Sequence, residues 1–174
     1  IDVEADDVSV KGYNFTIKEH IYIMLNKPKG VISATEDRTQ KTVLDLVPDK
    51  LFRQGLFPAG RLDGDTTGFV LLTDDGDFAH RILSPKNHIM KTYHATLRDE
   101  LTDEDIVRFK EGLTLGDGTK CLEAPVKVLE TGETTLAAIK ICEGKYHQVK
   151  RMFLSFGAEV IELDRIAIGG LPLD

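Results

Sequence analysis

The 174-residue chain is poor in cysteine: it has two, Cys121 and Cys142, too far apart for a C-x-x-C motif and too few for a zinc cluster. Cys142 falls in an alternating strand pattern, where a small buried side chain is expected. No run approaches the roughly 18 apolar residues that a membrane helix needs. The opening "IDVEADDVSV" is acidic and has no apolar core, unlike a secretory leader, and the absence of an initial Met suggests a fragment or a trimmed chain. There is no basic excess. Lys and Arg number 22 against 29 Asp and Glu, a net charge of −7, which argues against a bulk nucleic-acid binder. His80, His88, His94 and His147 have no metal-ligand spacing, and no Ser-His-Asp or Cys-His order is visible. A Gly-rich phosphate loop is missing too, because "GDGTK" is short and follows no strand-to-helix transition. These absences point to a reducing, cytoplasmic setting, no membrane, no metal and no cofactor.

What is present suits one globular domain or one domain plus a fragment, with 41% hydrophobic and 29% charged residues. The charge is unevenly distributed. Lys140, Lys145, Lys150 and Arg151 stand against Glu143 alone, and "NKPKG" and the stretch 81–91 are also basic. Acids gather in "DVEADD" and "RDELTDEDIVRFKEG". A chain that is acidic overall can still hold a phosphate backbone along one basic face.

Residues 1–19 read as a polar tail or linker and 20–174 as the main domain. Strands are predicted at "IYIML", "FVLLT", "KTYHATL", "APVKVLET", "TTLAAIKIC" and "AEVIELDRIAIGG". Short helices are predicted at "TVLDLVP", "DFAHRILSP" and "YHQVKRMFLSFG". "LTDEDIVRFKEGL" is the clearest helix, with Thr102 as N-cap, acids in the first turn and Gly112 at its end. Many strands with a few inserted helices, and no regular β-α-β alternation, predict an α+β fold. Its sheet is mixed and largely antiparallel, with flanking helices and a central cleft.

Three motifs carry the chemistry. "GRLDGDTTG" (Gly60–Gly68) packs two carboxylates, two threonines and an arginine between glycines. It fits D-x-D-x-T, the loop of magnesium-dependent phosphotransfer. That loop should follow a buried parallel strand, whereas this one follows "QGLFPAGRL", broken by Pro58 and Gly60. The alternatives are a polar turn between strands and a loop that presents Asp63 to a substrate. "DDGD" (Asp74–Asp77) is too short for a calcium loop and reads as a tight turn. "KTY" (Lys91–Tyr93) sets an aromatic in a strand. In "EGKYHQVKRM" (Glu143–Met152) a turn leads into a helix whose first turns carry His147, Gln148, Lys150 and Arg151, groups suited to a phosphate or a buried carboxylate.

In this order, "GRLDGDTTGFVLLTDDG", "KTY", "EGKYHQVKRMF" and the opening "YIMLNKPKGVISAT" resemble the ribosomal RNA pseudouridine synthases, over about residues 21–171. The stretch "DTTGFVLLTDDGDFAHRILSPKNHIMKTY" is most similar to the subfamily acting on one uridine of small-subunit (16S) RNA; relatives acting on large-subunit RNA share the core motifs. The resemblance implies that Asp63 is the catalytic aspartate and that Tyr93 stacks on the target base. Lys150 would pair with the aspartate, with Arg151 as a second candidate for that partner. RNA contacts are expected from Arg61, Lys27, Lys29, Lys91, Lys145, His147 and Gln148. Gly60 and Gly68 are expected to let backbone and RNA approach closely. It further implies a monomer that needs no cofactor, with 16S RNA or a small-subunit assembly intermediate as partner. Members usually carry an N-terminal S4-type RNA-binding domain, of which residues 1–19 would be the linker, and "GGLPLD" would stop short of the usual final strand. A silent RNA-binding module is the remaining alternative; it would need the basic patch but not Asp63.

Overall fold

The computed structural model describes residues 19–174 and, before them, the backbone of two short strands, β1 (Val8–Val10) and β2 (Tyr13–Phe15). These two pair antiparallel, so the segment read as a linker holds a hairpin; its other positions up to 18 lie outside the described residues.

The main sheet is built on five long strands: β3 (Tyr22–Lys27), β5 (Thr67–Thr73), β6 (Lys91–Leu97), β10 (Thr135–Ile141) and β11 (Val160–Ile168), with β9 (Val126–Thr131) at one edge. Their order is β3-β5-β11-β6-β10-β9. Among the described strands of this sheet the β5–β11 pair alone is parallel; β4 (Phe57–Pro58) and β12 (Leu171–Pro172) add short antiparallel pieces to β5 and β11. A separate ribbon joins β7 (Leu113–Thr114) to β8 (Lys120–Cys121). The helices are α1 (Gly76–Leu83), α2 (Asp103–Glu111) and α3 (Gln148–Leu154). This is the expected α+β architecture with a mixed, largely antiparallel sheet.

The side-chain pattern explains the layers. In β6 and β10 every second residue is buried, the period of a half-buried strand. Tyr93, Ala95, Leu97, Ala137, Ile139 and Ile141 thereby face Phe109 of α2 and Val149, Met152 and Phe153 of α3. The "FVLL" run of β5 is apolar at successive positions because it is covered on both faces. Val70 and Leu72 join the α2/α3 side, and Phe69 and Leu71 pack with Ala79 of α1 and Ile168. Phe153 is fully buried beside the Phe109 ring, 5.0 Å between centroids. Truncating such a ring to Ala costs about 3–5 kcal/mol.

Helix α2 has the predicted ends. The Thr102 hydroxyl accepts from the Asp105 N–H, the Asp105 carboxylate accepts from the Thr102 N–H, and Gly112 closes the helix. "TVLDLVP" yields only a single 3-10 turn, Leu44–Leu46: Thr42 and Asp45 form the same reciprocal cap as Thr102 and Asp105, but Val47, before Pro48, is extended and ends the turn. "DDGD" is a turn as expected, and its second aspartate, Asp75, caps α1 by accepting from the Phe78 N–H.

Candidate active site

The loop carrying Asp63 enters the sheet where three strands meet. Thr67 and Gly68 of β5 pair with Asp164 and Arg165 of β11, and Arg165 stands opposite Tyr93 of β6. Gly68 is required there. Its φ is +96°, and a Cβ would lie 2.3 Å from the Arg165 carbonyl oxygen. At Gly60 a Cβ would meet the Leu83 side chain at 2.8 Å. Both glycines thus admit protein atoms at close range, at Gly68 the backbone of β11.

Two clamps hold the backbone on either side of Asp63. The Ser33 hydroxyl donates to the Leu62 carbonyl (3.1 Å) and accepts from the Leu62 N–H (3.0 Å). The Gly64 carbonyl accepts from the Gly30 N–H (2.7 Å) and faces Lys27 Nζ at 3.4 Å. Beyond the loop, the Thr67 hydroxyl donates to Asp164 of β11 at 2.6 Å. Asp63 is therefore fixed at its backbone, while no backbone N–H reaches its carboxylate among the described residues.

The carboxylate instead meets side-chain nitrogens from the start of α3. Lys150 Nζ donates to Asp63 Oδ2 at 3.1 Å and to Asp65 Oδ1 at 2.6 Å, and His147 Nε2 lies 3.4 Å from Asp63 Oδ1. Burial opposes the Lys150 charge, but the bonds to Asp65 and Asp63 outweigh it and raise the lysine pKa. The same lysine lowers that of Asp65. Asp63 and Lys150 line a solvent-open cleft together with Arg61, Tyr93, His147 and Leu163. Its enclosed space is about 70 Å³, smaller than a typical small-molecule pocket.

Tyr93 forms one wall of the cleft and is otherwise buried. Its hydroxyl accepts from Arg165 Nη1 at 3.3 Å, and Arg165 Nε donates to the Phe69 carbonyl at 2.7 Å. Arg165 Nη2 is buried and has no hydrogen-bond partner. No reading of the motifs singled out Arg165 or Ser33. For Arg165 a signal existed: in "VIELDRIAI" it falls on the same face as Leu163, which is buried. Ser33 gave none.

Several expected RNA contacts are absorbed by the fold. Lys27 is fully buried, with Nζ donating to the carbonyls of Val31 (2.6 Å) and Pro28 (3.1 Å). Lys91 is buried and donates to the carbonyls of Ile82 and Ile89. Desolvation lowers both pKa values. Neither ammonium can reach a phosphate, so both expectations are corrected. Gln148 is also buried; its amide nitrogen donates to Glu143 (2.8 Å) and its oxygen accepts from the Lys145 N–H (3.0 Å). Lys145 pairs with the same buried Glu143, so this end of the motif serves a buried carboxylate. Arg151 turns to Asp117 and to the Tyr146 carbonyl, which leaves Lys150 as the cation on Asp63. Arg61 is exposed at the cleft, and Lys29 is exposed beside a neighbouring groove with Asp65 and His94.

An RNA pseudouridylate synthase family model matches residues 21–155, most of the chain and all of the cleft loop, Tyr93 and α3. The chain belongs to this family. It is 46% identical to an uncharacterized RNA pseudouridine synthase of Bacillus subtilis, over the whole chain and 73% of the relative. It is 47% identical to ribosomal small subunit pseudouridine synthase A of Escherichia coli K12, over 88% of the chain and 65% of that protein. The chain thus spans just under two thirds of the length of the small-subunit synthase. A crystal structure of a pseudouridylate synthase superposes with a TM-score of 0.81 at 40% identity, covering the whole chain and 74% of that structure. Among the described residues no helix is long and apolar enough to cross a membrane.

Proposed function

We propose that this pseudouridine synthase converts one uridine of small-subunit (16S) ribosomal RNA to pseudouridine, with Asp63 as the reacting carboxylate and without a cofactor. The observation that carries the proposal is the Lys150–Asp63 contact beside Tyr93 in one cleft. The small-subunit target rests on the relatives named for that activity. The reaction breaks the bond from N1 of uracil to C1′, turns the base and joins C5 to C1′. Atoms are conserved and no oxidant or energy source is consumed.

A carboxylate can serve by attacking C1′ or C6, or by taking the C2′ proton to give a glycal. Each route needs an ionised, oriented aspartate. The Leu62 and Gly64 clamps supply the orientation, and Lys150 sets a positive charge against the carboxylate. Extruding the uridine from its stack costs a few kcal/mol. Stacking on the Tyr93 ring, at roughly 1–3 kcal/mol per base, offsets part of that. Arg61, exposed at the cleft, is placed to meet the phosphate backbone.

The test is a pseudouridine assay on 16S and 23S RNA, free and partly protein-bound, in EDTA. One new pseudouridine in 16S RNA, absent with Asp63→Asn, is expected. Product only on 23S RNA would overturn the subunit assignment. Product at the wild-type rate with Asp63→Asn would overturn the role of the carboxylate, and RNA binding without product would leave a silent binding module.

A further inference from the structure

We propose that Tyr146 is a stacking platform for an unpaired nucleobase next to the target uridine, an inference that rests on the RNA-modifying reading above. Tyr146 is the most exposed of the large apolar side chains, at 76%, yet it is not loosely held. Its ring stacks on His147, 3.9 Å between centroids and 16° between planes, which leaves the other face open. His147 is itself seated in the cleft, 3.4 Å from Asp63. The loop is pinned on both sides: the Lys145 N–H donates to Gln148, and the Tyr146 carbonyl accepts from Arg151 at 3.2 Å.

His147 adopts the left-handed conformation, φ 44° and ψ 37°. For a residue with a Cβ this is disfavoured, and such geometry gathers at functional positions. Here it follows from turning two consecutive rings face to face where the chain enters α3. A rigid, water-exposed aromatic has a natural occupant in RNA, whose unpaired bases stack on such rings with little regard to sequence. Lys145 and His147 line the cleft on either side of Tyr146 in sequence. A base inserted against Tyr93 brings its neighbour to this rim, where Tyr146 can receive it.

The experiment has two arms. In the first, an oligouridine carrying one central 2-aminopurine is titrated with protein and its fluorescence followed. Quenching is expected with wild type and Tyr146→Phe. Tyr146→Ala should show little quenching and about tenfold weaker binding, with an unchanged melting temperature. Equal quenching in Tyr146→Ala, or none in wild type, overturns the platform. In the second arm, pseudouridine formation is measured on ribosomal RNA. Tyr146→Ala should raise KM about tenfold, with the loss on KM rather than kcat and rescue by Phe; a loss confined to kcat overturns the platform. Quenching without product in any ribosomal RNA would remove the synthase reading and leave the platform standing.

Discussion

The chain has two short acidic loops of similar composition, and the fold uses them in opposite ways. In the turn before α1, the Asp74 and Asp75 carboxylates each accept a backbone N–H. Asp74 takes the Ile21 N–H (3.0 Å), and Asp75 takes the Phe78 N–H (2.8 Å) and the Tyr22 hydroxyl (2.6 Å). Asp74 also meets Arg53 at 3.1 Å and the His20 ring at 3.3 Å. In the loop before β5, hydrogen bonds hold the main chain at Leu62, Asp63 and Gly64, and among the described residues the Asp63 carboxylate meets Lys150 and His147 and no backbone N–H. A carboxylate whose lone pairs are filled by backbone donors is a structural cap. One whose main chain is clamped, and whose oxygens meet side-chain nitrogens in an open cleft in place of backbone donors, is available to react.

The sharpest test of that contrast exchanges the two losses. Asp63→Asn should lower kcat at least about a thousandfold while the melting temperature hardly moves. Asp75→Ala should keep the rate and lower the melting temperature by about 2–4 °C, through loss of the α1 cap. Thermal unfolding and a pseudouridine assay on both variants decide it; a destabilised Asp63→Asn beside an inactive Asp75→Ala would invert the comparison. Next in size, Lys150→Met should cost about a hundredfold in kcat, and Lys150→Arg should restore most of it by meeting the same oxygens. A wild-type rate in Lys150→Met would remove Lys150 from the reaction.

Tyr93→Phe should retain more activity than Tyr93→Ala because the stacking ring survives. It should still lose about 1 kcal/mol in a denaturant titration, since Arg165 Nη1 is left without an acceptor. The smallest effect concerns Glu143. Burial alone would push its carboxyl up, but the Lys145 ammonium, the Leu122 N–H and the Gln148 amide outweigh it and hold it below 4.5. The stability it contributes is therefore present above that value and lost as the pH falls through the lower native pKa. Glu143→Gln should flatten the stability curve between about pH 5 and pH 3. An unchanged slope would show that Glu143 is not a source of acid sensitivity.

Local patterns were legible wherever one period governed a segment. "KTYHATL" alternates and is β6, and "LTDEDIVRFKEGL" carries its own caps and is α2. The same alternation in β6 places Lys91 with Tyr93, Ala95 and Leu97, so its burial was readable but was obscured by the basic charge of its neighbourhood. Lys27 was misread for a related reason. "NKPKG" looks like a basic turn, but one lysine turns inward to bind the Val31 and Pro28 carbonyls while Lys29 stays outside.

From the order of residues alone came the strands, the clearest helix, the family and Asp63 as the residue presented by its loop. Those follow from periodicity, capping chemistry and motifs, which act over a few residues. Which cation meets Asp63, where Arg151 goes, and that Arg165 bonds Tyr93 came only with the fold. Lys150 and Asp63 are 87 positions apart, and Arg165 and Tyr93 72. Lys150 and Arg151 are adjacent and alike in charge, so no local rule separates them. On α3 successive residues point about 100° apart, and that angle sends one side chain to Asp63 and the other to Asp117.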